Sequence, residues 1–526
     1  MLGRVLLVLA CAWTLHAHAQ SLGAGVRVFV KEIRVAGATA LPAQELREIV
    51  APFENRELTS EDLDELRHRI SVAYANAGYV NSGAVIPDQE VAGGVVTVQV
   101  IEGRLTGIEV SGEHNFRDFY LKNRVALGAG DPLNVRSLQE AIQLMLQNPQ
   151  IERINAELAP GSQRGEALLR MDVKEAKRFG AAFSLANNRS PAVGAVRAEL
   201  ALAARNVAGF GEALAVRLGH TEGLDDQAVN FAVPINARDT LFTARYEQSR
   251  SRVIEPPFDI IDITSESAAG EVGLSHPWLR NLRSTLTVGT SLYYRDNGTA
   301  LLGVPFAFPP VDTDKAKVAA FRLFADWVDR TQESVFAARA TLSNGLKAFG
   351  STATSTSTAP DSAYHAVLGQ VQWARRLAPD GKQIVLRADG QLADDILLPS
   401  EKFAIGGIDT VRGYRENQLV RDNGVVLSAE YRHPLFHLPI PGLSQAEGAG
   451  LVSVAAFIDA GRGWDDKAPS SDTTTLWSYG PGLRWDPGEG FFAQLYYGFR
   501  GKDIPTPHND LQDRGIHFRI GAAISF

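Results

Sequence analysis

Cysteine is nearly absent from this chain: among 526 residues it occurs once, as Cys11. The chain beyond it has no disulfide, no cysteine metal site and no thiol nucleophile. Long apolar runs are missing too. Past Gln20 none approaches the ~18–20 residues of a spanning helix, so a membrane could be crossed only by a closed barrel. A basic excess is also lacking, with 52 Lys and Arg against 60 Asp and Glu and a formal net charge of −8. A nucleic-acid partner would leave a basic footprint, and the sequence shows none. Catalytic signatures are equally scarce, for there is no Gly-x-Ser-x-Gly and no phosphate-cradling Gly-x-x-x-x-Gly-Lys. His433 and His437 form the one close histidine pair past the N-terminal apolar stretch, and a third ligand for zinc is missing. Asp394-Asp395 and Asp465-Asp466 read as solvated loop charges, because a glycosidase pair needs a defined separation across a pocket. The chain therefore reads as non-enzymatic, with no catalytic residue, no cofactor and no metal.

The residues that are present start with a targeting pattern. Arg4 precedes an apolar stretch from Val5 to Leu15, and Ala17-His18-Ala19 supplies the small-x-small site of signal peptidase. Residues 1–19 thus read as a signal peptide. Lipidation of Cys11 is the weaker reading, since only six apolar residues precede it and Leu9 stands where a small residue is usual. With 45% hydrophobic and 21% charged residues, the composition excludes collagen-like, disordered and helical-membrane classes. The length allows several domains or one very large one.

Two copies of a small α/β unit follow. Residues 28–102 read as strand, helix, helix, strand, strand: Val28–Val35 alternates, Pro42–Val50 is a short helix, and Thr59 or Ser60 caps a longer one. Leu63, Leu66, Ile70 and Tyr74 share a stripe of that helix, and Gly83–Pro87 with Val95–Ile101 closes the unit. The order recurs at 104–176. Ile33-Arg34-Val35-Ala36-Gly37 is echoed by Ile108-Glu109-Val110-Ser111-Gly112, and the second helix by Leu138, Ile142, Met145 and Leu146 before Glu166–Val173. Repetition at about 75 residues indicates a tandem array. Such units resemble the polypeptide-transport-associated (POTRA) domains of outer-membrane barrel proteins; two generic ferredoxin-like modules are the alternative.

Residues 179–526 read as a strand array without a helix. Ile516, Phe518, Ile520, Ala522, Ile524 and Phe526 share one face of the last segment, opposite His517, Arg519, Gly521 and Ser525. Val425, Leu427, Ala429 and Tyr431 oppose Val426, Ser428, Glu430 and Arg432 in the same way. A soluble sandwich alternates too, but it buries the apolar face that a barrel turns to lipid. Loop lengths favour the barrel. About sixteen strands of 9–11 residues are expected, beginning near 180, 194, 212, 227, 240, 268, 284, 317, 333, 363, 383, 424, 450, 476, 490 and 515. Tight turns such as Asn236–Asp239, Asp329–Gln332 and Asp486–Glu489 lie on one side. Long loops lie on the other, at Arg250–Ser267, Pro305–Lys315, Ser351–Thr358 and Ala393–Asn423; His433–Ala449 is a long exception on the short side.

Two motifs narrow the reading. Between strands eleven and twelve lies Gly406-Gly407-Ile408-Asp409-Thr410-Val411-Arg412-Gly413-Tyr414, and two strands on comes Phe457-Ile458-Asp459-Ala460-Gly461. This pair, behind two POTRA-like repeats, resembles the two-partner secretion transporters (TpsB, the ShlB/FhaC/HecB-type haemolysin secretion/activation proteins) of the BamA-like superfamily. The resemblance implies that the Val411–Tyr414 loop folds back into the lumen with Arg412 facing Asp459. Alternation independently puts Asp459 on the inner face, because Val452, Val454, Ala456 and Ile458 form the apolar one. Read without the family, Arg412 is a solvated loop charge and Asp459 a turn former. The terminal Phe526 resembles the signal by which such barrels are recognised for insertion. Cleavage after Ala19 leaves about eight residues before Val28, too few for the plug helix and linker that well-known members carry.

The expected fold is a membrane all-β protein: a barrel of about sixteen strands at 179–526 behind two periplasmic α/β POTRA domains at 28–102 and 104–176. The expected function is an outer-membrane pore that binds an unfolded exoprotein in the periplasm and secretes it. Implied partners are a TpsA-like, β-helical adhesin or cytolysin, outer-membrane lipid and the barrel assembly machinery. A BamA-like assembly factor is the alternative, and a passive porin, which would have no use for the repeats, the less favoured one.

Overall fold

The computed structural model describes residues 27–526 except 308–310, 312, 355–358, 442–443, 445–448, 468–473 and 489. The expected signal peptide and Cys11 lie outside the described residues.

In the first repeat, the alternating segment from Val28 is two strands, β1 (Val28–Val30) and β2 (Glu32–Ala36). Val30 and Ile33 are both buried, three residues apart. A continuous strand, with its period of two, would point them to opposite faces. The break at Lys31 resolves this, and its N–H donates to the Gly94 carbonyl at 2.7 Å. Helix α1 (Ala43–Val50) starts behind Pro42 and buries Leu46 and Val50. Strand β3 (Arg56–Leu58), not anticipated from sequence, pairs with β1. Helix α2 (Ser60–Asn76) opens on a capping box between Thr59 and Asp62, worth about 1 kcal/mol, and turns Leu66, Ile70 and Tyr74 into the core. Strands β4 (Gly83–Val85) and β5 (Val95–Ile101) complete a sheet ordered β2-β5-β4.

The second repeat runs through β6 (Arg104–Ser111), α3 (Asp118–Ala129), α4 (Val135–Leu146), β7 (Ile151–Pro160) and β8 (Glu166–Glu175), with sheet order β6-β8-β7. Leu138 and Met145 are buried as the stripe on α4 requires, whereas Leu146 is exposed because it closes the last turn beyond the core. Two compact units divide the chain within this repeat. One holds the residues up to Glu109 with Ala129–Gln139 and Glu157–Arg170; the other holds Val110–Gly128, Glu140–Ala156 and Met171–Phe526.

The barrel begins with β9 (Phe179–Ala186), β10 (Arg197–Arg205), β11 (Ala213–His220), β12 (Leu224–Pro234) and β13 (Leu241–Arg252). It continues through β14 (Ile263–Arg280), β15 (Ser284–Leu301), the two-residue β16 (Val304–Pro305), β17 (Lys315–Arg330), β18 (Ser334–Gly345), β19 (His365–Arg376) and β20 (Gln383–Ala393). A separate hairpin, β21 (Phe403–Ile405) with β22 (Leu419–Arg421), interrupts the wall. The wall resumes with β23 (Asn423–His437), β24 (Leu451–Trp464), β25 (Thr475–Gly488), β26 (Phe491–Tyr497), its continuation β27 (Phe499–Arg500), and β28 (Ile516–Ser525). Counting the short segments with their neighbours, sixteen antiparallel strands close on themselves.

Closure is made by β28 against β9, from Arg519↔Ala186 to Ser525↔Gly180. Phe526 extends the seam: its N–H donates to the Phe179 carbonyl at 2.9 Å, and the two rings stack at 6.0 Å. Leu427, Ile458, Leu495 and Ile524 are exposed on the outer face, while Glu430, Asp459, Ser478 and His517 are buried on the inner one.

Several strands exceed the expected length. At about 3.3 Å per residue and a tilt near 40°, the 18 residues each of β14 and β15 span roughly 45 Å, against an apolar band of about 25 Å. The ladder therefore continues into water, where Thr264, Glu266 and Asp296 replace Val272, Leu274 and Leu292. The expected long loop Arg250–Ser267 shrinks to residues 253–262, because Arg250↔Glu266 and Ser251↔Ser265 still pair. The exception at His433–Ala449 likewise shortens, since β23 runs to His437. Asp486–Glu489 ends on residue 489, outside the described residues.

Candidate functional site

The segment between β20 and β23 is inside the barrel. Hairpin β21–β22 carries its apex from 406 to 418, and the consecutive Gly406 (φ 112°) and Gly407 (φ 108°) make the reversal that L side chains resist. Ile405, Val411, Tyr414 and Leu419 are buried against Val426 of β23 and Leu476 of β25.

Arg412 is 5% exposed. Its Nε donates to Asp459 Oδ2 at 2.8 Å, its Nη2 to Asp459 Oδ1 at 2.8 Å, and its backbone N–H to Oδ2 at 3.1 Å. Its Nη1 donates to Glu430, and Nη2 also reaches Ser428 Oγ at 3.2 Å. The guanidinium lies over two rings, 3.8 Å from the Phe457 centroid and 4.8 Å from that of Tyr496. Glu430 is shared with Arg432, whose Nε donates at 2.7 Å. Two cations thus meet two carboxylates, and the network is neutral. Burial works against the charge on Arg412, but Asp459 and Glu430 outweigh it and lift its pKa above the ordinary arginine value.

Each fixed letter of Phe-x-Asp-x-Gly has a physical reason. Phe457 supplies the cation–π face and Asp459 the fork. Gly461 supplies room: a Cβ there would stand 2.5 Å from Ile405 Cγ2 and 3.0 Å from Val411 Cγ2. Tyr414 is almost fully buried, its hydroxyl 3.0 Å from the carbonyls of both Trp477 and Lys502. The structure therefore brings Val411, Arg412, Gly413, Tyr414, Phe457, Asp459 and Gly461 together, with Phe526 apart at the seam.

Sequence reasoning missed several participants. Glu430 stood on the expected inner face without a role, and the inward period of β23 was its only signal. Arg415 is a second bridging cation. Its Nη2 donates to Asp513 Oδ2 at 2.7 Å and to Glu255 Oε1 at 2.8 Å, and its Nη1 to Glu255 Oε2 at 3.0 Å. Nearer the loop's root, Glu401 accepts from Arg322 at 2.9 Å and from the Tyr364 hydroxyl at 2.7 Å. Among the described residues no cluster of three or more His, Cys, Asp or Glu could hold a metal ion.

Glu416 introduces a pH dependence. Its Oε1 accepts from the Ile408 N–H at 2.8 Å, and burial pushes its pKa up from 4.5 to about 7. Asp409 adds to the rise, whereas Arg189 and Arg519 oppose it. An acid whose pKa is raised stabilises the seated loop fully below 4.5 and loses that contribution as pH climbs through about 7, by up to about 1.4 kcal/mol per pH unit between them. Proteolysis within 406–418 should therefore be faster at pH 8 than at pH 6, and Glu416→Gln should flatten the difference. An identical pH response in that variant would clear Glu416 of the effect.

The chain is similar to known proteins in sequence and in fold. The sequence profile described as "Haemolysin secretion/activation protein ShlB/FhaC/HecB" matches residues 165–485, and that of "POTRA domain, ShlB-type" matches residues 28–103. The outer membrane transporter CdiB of Dickeya dadantii (strain 3937) is 21% identical over 468 residues, covering 87% of this chain and 80% of its own. The heme/hemopexin transporter protein HuxB of Haemophilus influenzae (strain 86-028NP) is 23% identical over 435 residues, with coverage of 80% and 73%. The solved structure of CdiB from Escherichia coli superposes with a TM-score of 0.71 at 22% identity, over 97% of this chain and 93% of that one.

Proposed function

We propose, for a chain that belongs to the haemolysin secretion/activation protein family ShlB/FhaC/HecB of outer-membrane two-partner secretion transporters, that it captures an unfolded exoprotein in the periplasm and passes it outward through the barrel. The POTRA domains, assigned to 28–102 and 104–176, are the receptor, since a strand edge pairs with any extended chain through backbone hydrogen bonds. The barrel at 179–526 is the conduit. The cargo is a TpsA-like, β-helical adhesin or cytolysin. Phe526 is the residue through which barrel assembly machinery inserts the chain among outer-membrane lipids. No catalysis is involved, and the partner's folding outside the cell drives export. One observation supports this reading above the others: the lumen holds a loop fastened by buried polar contacts centred on Arg412. A passive porin has no use for the two N-terminal repeats, of which residues 28–103 match a POTRA profile, and an assembly factor acts on many barrels.

The test is to express the chain with a large repetitive β-helical protein, taken from a neighbouring gene where one encodes it. Secretion should need this transporter, and removing residues 28–102 should abolish it while the barrel still migrates faster on gels unheated than boiled. Undiminished export by that deletion would remove the receptor role. A fall in the level of unrelated outer-membrane barrels on depletion would favour the assembly factor instead.

A further inference from the structure

The geometry points to Gly498 and His517, on the last two strands of the barrel, as positioning residues for the lumenal loop in secretion. The family motifs end at Gly461, yet the peptide on the far side of Arg412 is gripped by a different part of the wall. The Gly413 N–H donates to His517 Nε2 at 2.9 Å, and the Gly413 carbonyl accepts from Arg500 Nε at 2.5 Å. Arg500 Nη2 in turn donates to the Gln512 carbonyl at 2.6 Å.

Three glycines make the grip possible. Gly413 has φ 91°, and a Cβ on it would meet the backbone of Gly498 at 2.9–3.1 Å. A Cβ on Gly498 would stand 2.6 Å from Gly413 Cα and 2.7 Å from its nitrogen. Gly515, at φ 77°, would put a Cβ 2.4 Å from the Gly498 carbonyl oxygen. Gly498 sits between β26 and β27, and its N–H donates to the Gly515 carbonyl at 2.8 Å. Loop apex and wall thus meet backbone to backbone, at a distance closed to any side chain.

His517 shows what this contact needs. The ring is fully buried, and Nε2 as acceptor requires the proton on Nδ1, which has no hydrogen-bond partner among the described residues. Buried polar atoms are paired in more than about nine cases in ten. An apolar residue would fill the volume without stranding an N–H, so what the imidazole uniquely contributes is its acceptor. That acceptor orients the Arg412–Gly413 peptide plane, and the plane determines where the guanidinium of Arg412 meets Asp459. His517 and Gly498 therefore act through Arg412.

The inference rests on the secretion reading, but half of its test does not depend on any cargo. The sequence has no cysteine after Cys11, so Ile408→Cys places a buried reporter in the loop for a membrane-impermeant maleimide. With this reporter in outer membranes, His517→Leu should raise labelling by about tenfold, the size expected from one buried N–H left unpaired, and Gly498→Ala, whose Cβ would stand 2.6 Å from Gly413 Cα, should raise it at least as much by forcing the two backbones apart. Secretion should fall by a similar factor. His517→Gln, whose amide oxygen can accept from Gly413, should restore both, a rescue that packing alone does not provide. Wild-type labelling in His517→Leu, or a glutamine variant no better than leucine, would overturn the assignment. So would loss of the heat-modifiable barrel in all three variants, which would make these residues determinants of the fold. Correct labelling shifts with no secretion by the parent chain would instead count against the transport reading.

Discussion

Arg412→Ala should abolish secretion while leaving a heat-modifiable barrel in the outer membrane. The lipid-facing residues of the strands are untouched by the change, and the β28–β9 seam is held by backbone pairing from Arg519↔Ala186 to Ser525↔Gly180. The loss is local and large. Removing the guanidinium leaves Asp459 and Glu430 as buried carboxylates with Arg432 as the remaining cation of the network. Stranding a charge in this way costs on the order of 3–5 kcal/mol, whereas a solvated pair would be worth about 0–1 kcal/mol. Asp459→Ala should be severe as well, but milder, because Glu430 still faces the arginine. Lysine at 412 should rescue in part: an ammonium can reach one acid but reproduces neither the fork on Asp459 nor the stacking on Phe457. A double-mutant cycle of Arg412→Ala with Asp459→Ala, read as secreted cargo, measures the coupling. Strictly additive effects would mean that the contact does not operate in secretion.

Arg415→Glu should raise the resting conductance of the purified protein in planar bilayers several-fold. Arg415 joins three segments: the lumenal loop, the 253–262 loop through Glu255, and the stretch before β28 through Asp513. The stretch carrying Asp513 also reaches the residues after β9, since the Gln512 amide donates to the carbonyls of Asn187 at 2.9 Å and Arg189 at 2.7 Å. Hydrogen bonds to Asp513 and Glu255 lift the Arg415 pKa above its usual value, so the cation persists at every working pH. A glutamate there would put a third carboxylate beside two that have lost their counter-ion. Repulsion replaces an attraction of about 3 kcal/mol, and the loops should part. Arg415→Lys should give an intermediate conductance. A conductance unchanged in Arg415→Glu would show that these loops do not bar the exit.

The alternation of polar and apolar residues is a local consequence of the pleat, and for that reason the strands were legible in the sequence, while the short and long connections on opposite sides separated a barrel from a sandwich. Ile516 to Phe526 against His517 to Ser525 separates lipid from lumen without reference to any other strand, and the same period placed Asp459 and Glu430 inward. Strand ends were less legible. Backbone pairing in β14 and β15 continues past the bilayer, where no hydrophobic signal marks it. The break at Lys31 arises because Val30 and Ile33 must share one core, a demand made by helices α1 and α2 and not by the strand itself.

The site divides along the same line. Val411–Tyr414 and Phe457–Gly461 are contiguous runs whose spacing can be recognised. Glu430, Arg500, Gly498 and His517 join them only when strands more than 80 residues from the loop, in the case of the last three, come round to close the barrel. No local period carries that information. Which inward residues meet the loop depends on the register of sixteen strands and on how closely two glycine backbones can approach, and both are properties of the closed sheet.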